Sequence, residues 1–140
     1  MASTSGTQKR RAAAGRILLV EDHASLAAMR AAVLRKQGYE VVLTGDGLEA
    51  CRLLECETFD LVVTDARLPS GSGWDVARAA KQSRLPVILT TGWPLPPGIS
   101  DADYFLGKPS SLAQFLALIL QTLVDVALGD AASGAFERRG

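Results

Sequence analysis

Between residues 16 and 128, short apolar runs alternate with longer stretches in which apolar residues recur every three or four positions. The run Ile17-Leu18-Leu19-Val20 has no polar face, the pattern of a strand covered on both sides. Similar runs follow at 41–43, 60–64, 87–89 and 104–106. Pro86 stands at the start of the fourth, where no ladder donor is needed. Helical spacing predicts a helix over 25–37, with Leu26, Met29, Ala32, Val33 and Lys36 on one face and Gly38 as its stop. Further helices are predicted at 47–56, at 74–82 and at 111–126, the last capped by Ser110 or Ser111. The second of these turns either Leu48, Cys51 and Leu54 or Ala50, Leu53 and Leu54 inward. Five apolar strands separated by helices predict an α/β fold, a doubly wound five-stranded parallel sheet with helices on both faces.

The two ends read differently. Residues 1–15 are small, polar and basic (Lys9, Arg10, Arg11) and predict a disordered arm; residues 129–140 predict a flexible tail. A chain of 140 residues is then one domain over 16–128 with two loose ends. Lys plus Arg equals Asp plus Glu at 15 each, so there is no basic surplus to meet phosphates, and no nucleic acid is expected as a partner. No apolar run approaches the ~20 residues of a spanning helix, so no membrane is expected either. The N-terminal segment lacks the apolar stretch of a secretory signal. Cys51 and Cys56 are too few for a disulfide or zinc framework and read as ordinary helix residues. A cytoplasmic location is the resulting expectation.

In sheets of this kind ligands bind beyond the carboxyl ends of the strands. The residues there are Glu21 and Asp22 after the first strand, Asp65 after the third, Thr90 and Thr91 after the fourth, and Lys108 after the fifth. Three carboxylates at one rim resist joint ionisation unless protons stay bound or a divalent cation joins them. Mg2+ suits such a set, because it takes a few oxygen ligands and keeps several waters. Asp22 and Asp65 are the best direct ligands, and the longer Glu21 could act through water. An ammonium, a hydroxyl and a metal around one aspartate are what phosphoryl transfer to a carboxylate requires. Glu21 and Asp22 could instead only cap the helix that follows them.

Four segments, ILLVED at 17–22, LVVTDARLPSGSGWDV at 61–76, PVILTTG at 86–92 and ADYFLGKP at 102–109, together resemble the receiver domain of two-component response regulators, the CheY-like proteins. The resemblance spans roughly residues 16–126 and implies a flavodoxin-like receiver fold. It implies that Asp65 is the phospho-acceptor, that Glu21 and Asp22 are the acidic pair, and that Asp22, Asp65 and the backbone carbonyl of Arg67 ligate Mg2+. Thr91 matches the switch hydroxyl, Lys108 the family's lysine, and Phe105 its rotating aromatic. Pro69 and Gly73 match the loop after the acceptor, with Gly73 expected to supply a backbone conformation that side chains oppose. The implied function is Mg2+-dependent phosphorylation of Asp65 by a partner histidine kinase or phosphotransfer protein, which switches protein–protein contacts; it is a signalling role and not an enzyme's. The phospho-donor histidine belongs to the partner, so His23 reads as a first-turn helix residue.

Two other readings compete. One is a receiver that is never phosphorylated and serves as a docking scaffold. The other is a small phosphohydrolase working through an aspartyl-phosphate; haloacid-dehalogenase-like enzymes need an acid two residues after the nucleophile, and Arg67 stands there. The chain departs from the receiver pattern between Thr91 and Lys108. Pro94, Pro96 and Pro97 fall there with Gly92 and Gly98, and a proline costs ~3 kcal/mol inside a helix. The fourth helix of the family is therefore expected to be shortened or missing. Trp93 and Leu95 are candidates for a new contact there, but are rather expected to fold over the core. No effector domain is expected in the short stretch after residue 126, and the chain reads as a stand-alone receiver or as an excised domain of something larger.

Overall fold

The computed structural model describes residues 15–92, 102–108 and 110–129. The expected arm up to residue 14, the tail from 130 and the proline segment 93–101 lie outside the described residues. So does any helix carried by that segment; among the described residues there are five strands and four helices. They run in the order β1 (Gly15–Val20), α1 (Ala24–Lys36), β2 (Tyr39–Thr44), α2 (Gly47–Cys56), β3 (Leu61–Asp65), α3 (Gly73–Gln82), β4 (Val87–Thr91), β5 (Tyr104–Gly107) and α4 (Leu112–Ala127).

All strand pairs are parallel and the spatial order is β2-β1-β3-β4-β5. This is the doubly wound architecture expected from the alternation of runs. Gly15, placed in the arm by its composition, opens β1 opposite Tyr39. Successive strand residues face opposite sides, so the two halves of each run enter different cores. Leu18, Val20, Val62 and Leu89 pack with Ala50, Leu54, Val76 and Ala80 on the α2–α3 side. Ile17, Leu19, Val63 and Ile88 pack with Ala31, Leu34, Phe115 and Ile119 on the α1–α4 side.

Helix starts are set by short polar side chains. Asp46 accepts from the Leu48 and Glu49 N–H groups, Ser72 from Asp75, and Ser111 forms a capping box with Gln114. His23 caps α1, its Nδ1 accepting from the Leu26 N–H at 3.3 Å, so it lies one position before the first turn and removes the need for Glu21 or Asp22 to cap.

The face of α1 differs from the expectation. Ala27, Arg30, Ala31 and Leu34 are buried, while Met29 is exposed. Apolar residues surround this helix, so spacing alone could not select the buried stripe. A charged residue at its centre argued for the wrong side.

Candidate active site

Each strand end delivers its side chain to one rim. Glu21 follows β1 directly and is only 3% exposed. Its Oε2 accepts the His23 N–H at 3.1 Å. Its Oε1 lies 3.6 Å from Arg30 Nη1 and 3.9 Å from Lys108 Nζ, and makes no hydrogen bond among the described residues. Asp22, next along the chain, is exposed. Asp65 closes β3 and is also 3% exposed. Its Oδ1 meets Lys108 Nζ at 2.5 Å and accepts from Thr90 Oγ1 at 2.7 Å.

Oxygens of Glu21, Asp22 and Asp65 all lie within 4.8 Å of one another. Hard oxygen donors at this spacing, one of them buried without a hydrogen-bond donor, fit a divalent cation that favours oxygen and retains water. Burial, and then the neighbouring Asp65 carboxylate, push the Glu21 carboxyl up to about 7; the His23 N–H and Lys108 pull the other way. Burial leads that shift, and the crowding of the acids adds to it.

Beside the acids a cavity of about 170 Å³ is lined by Asp65, Arg67, Thr90, Thr91, Gly92 and Lys108. It can admit a group the size of a phosphoryl and places an ammonium, a hydroxyl and a carboxylate on its wall. Thr91, half-buried at the end of β4, accepts the Lys108 N–H at 2.9 Å through its carbonyl, which ties the lysine to that strand. Phe105 lies three residues before Lys108, half-buried against the α2–α3 core.

Gly73 has a different role from the one expected. Its φ is not in the left-handed region; Gly71 takes that conformation instead, with φ of 73°. A Cβ on Gly73 would stand 2.0 Å from the Asp65 carbonyl oxygen. The glycine lets α3 start against the end of β3, so its need is close approach and not backbone angle.

One contributor is missed in the sequence and another is left without a role. Thr90 is placed at the rim but the switch role goes to Thr91, yet the register of Thr90 opposite Asp65 marks it, because paired positions share a face. Arg30 gave no signal, since an arginine within a helix is read as solvated.

A parallel sheet of this order, with acids beyond β1 and β3 and a lysine beyond β5, defines a receiver domain. Residues 17–120 match the response regulator receiver domain, and the chain belongs to that family. Among curated relatives it is 36% identical over 118 residues to the sensory transduction protein RegX3 of Mycolicibacterium smegmatis, covering 76% of this chain and 50% of that protein. It is 40% identical over 77 residues to the DNA-binding response regulator MtrA of Mycobacterium tuberculosis, covering 54% of this chain and 34% of that one. The chain thus spans half the length or less of these two relatives. Among solved structures, the receiver domain of the sensor histidine kinase PA1611 from Pseudomonas aeruginosa, which has a magnesium ion coordinated in its active-site cleft, superposes with a TM-score of 0.71 at 29% identity. That match covers 79% of this chain and 98% of that domain. The chain is therefore a receiver domain of the two-component type. No described helix is long and apolar enough to cross a membrane.

Proposed function

We propose that this receiver accepts a phosphoryl group on Asp65 from a partner histidine kinase or phosphotransfer protein, and that the modification switches its contacts with a downstream protein. The reading is supported above all by the placement of Asp65, which meets the Lys108 ammonium at 2.5 Å and shares the rim with Glu21 and Asp22. An Asp65 carboxylate oxygen attacks phosphorus, a new P–O bond forms, and the P–N bond to the donor imidazole breaks, its electron pair staying with that imidazole. Asp22, Asp65 and the Arg67 carbonyl would hold Mg2+, with Glu21 acting through water. When bound, the ion supplies positive charge to the phosphoryl oxygens.

Lys108 pairs with Asp65 before transfer and moves to a phosphoryl oxygen afterwards, since an ammonium on a flexible stem can follow the charge. Thr91, on the wall of the same cavity, turns its hydroxyl toward the phosphoryl group. Phe105 changes its packing in response, and the altered surface around β5 is the output. MtrA is named for DNA binding, but this chain matches only 34% of that protein, and protein contact is the output proposed here.

Acetyl phosphate with MgCl2 tests the reading by intact mass. Gain of one phosphoryl mass in the wild type, absent in Asp65→Asn and absent with EDTA, is the expected result. No mass gain in the wild type would overturn it and favour a docking scaffold.

A further inference from the structure

Among the buried residues of α1 only Arg30 is charged, and it is 3% exposed. Its guanidinium reaches three separate elements. Nη1 lies 3.6 Å from Glu21 Oε1, Nη2 donates to Ser110 Oγ at 3.4 Å in the loop after Lys108, and the group stacks over the Phe115 ring of α4 at 4.5 Å. A buried arginine keeps its charge, so this is a fixed cation beneath the acidic cluster. Burial lowers its pKa from the ordinary arginine value, while Glu21 and then Asp65 oppose that shift.

The contact with Glu21 is electrostatic and leaves that oxygen without a hydrogen-bond donor. That oxygen therefore keeps lone-pair capacity for a ligand. Lys108 differs, because it is partly exposed and free to follow a phosphoryl group. Counted as ionised, the three acids with Lys108 alone would leave two negative charges; with Arg30 they leave one. A divalent ion then meets a smaller field, and the acids can assemble before it arrives.

We propose that Arg30 is a built-in counter-cation of the acidic cluster, a positioning residue that holds Glu21 in place without metal and lowers the affinity of the site for Mg2+. The inference rests on the reading that Glu21, Asp22 and Asp65 take that ion. It adds a control on the ion's occupancy: the site fills only at higher Mg2+ than its three acids would otherwise require.

MgCl2 titration of the full chain, followed by amide chemical shifts at about pH 8.5, where carboxyls are largely ionised, is the test. Arg30→Met is expected to tighten Mg2+ binding roughly five- to tenfold by removing one nearby positive charge. Arg30→Gln keeps a polar N–H group at this position without the charge, and the same tightening there separates charge from packing. Arg30→Lys should restore an affinity within about twofold of the wild type. Unchanged or weaker binding in Arg30→Gln, beside normal binding in the wild type, would overturn this inference alone. Absence of Mg2+ binding by the wild type would overturn the metal-site reading and the inference with it.

Discussion

Glu21 shows how a single carboxyl can tie stability to pH. It is nearly inaccessible, stands beside Asp65, and has its carboxyl pushed from 4.5 to about 7. A carboxyl raised in the folded state favours folding while it is protonated. The contribution is complete below about pH 4.5 and is lost as pH rises through about 7. The difference amounts to a few kcal/mol at most. In EDTA, the urea midpoint of the wild type should fall between about pH 5 and 8, and Glu21→Gln should flatten that slope. An equal slope in the variant would place its origin elsewhere. Thr90 and Lys108 act on Asp65 differently: both engage Oδ1, which fixes the orientation of the carboxylate relative to the cavity.

At the level of elements, the junction between β3 and α3 positions the site. The Asp65 carbonyl lies where a Cβ on Gly73 would have to go, and the Gly73 N–H donates to the Ala66 carbonyl at 2.9 Å. The helix start and the acceptor therefore move together. Gly73→Ala should cost at least ~2 kcal/mol, because backbone and not a flexible side chain must give way. It should also slow phosphorylation by acetyl phosphate. Gly107→Ala is the control, since nothing lies within 4 Å of its added Cβ and its φ is ordinary. Denaturant midpoints of the two variants check the contrast, and equal losses would show that close approach at Gly73 is not the constraint.

Across the whole molecule, Lys108 joins the last strand to the first and third. It contacts Asp65 and Glu21, while Phe105, on the same strand, packs into the α2–α3 core. A phosphoryl group that draws the ammonium away from Asp65 would pull on β5 and so on Phe105. Lys108→Ala is expected to keep a dispersed, folded amide spectrum. With acetyl phosphate and Mg2+ its shifts should change near Asp65 and not around Phe105, whereas the wild type changes in both places. Changes at Phe105 in the variant would remove the lysine from the coupling. The far end of α4 has its own link to β5, where the Tyr104 hydroxyl donates to Asp125, itself held by Gln121 at 3.0 Å.

The amino-acid sequence by itself determined the strand order of chemistry. Short apolar runs bounded by turn residues and alternating with helical patterns predict strands buried on both faces, and parallel connection puts all their carboxyl ends on one edge. That placed Glu21, Asp22, Asp65, Thr91 and Lys108 together before any distance was known. Helix limits at 47–56 and 74–82 were legible to within a residue, because caps and turn residues are local signals. Only the tertiary structure decided which side of α1 is buried, that Thr90 donates to the acceptor carboxylate, and that Gly73 is required by contact. Each of these depends on what another element places opposite the residue. Arg30 is the clearest case: its charge points to solvent in one dimension, and three partners distant in the chain hold it inside in three.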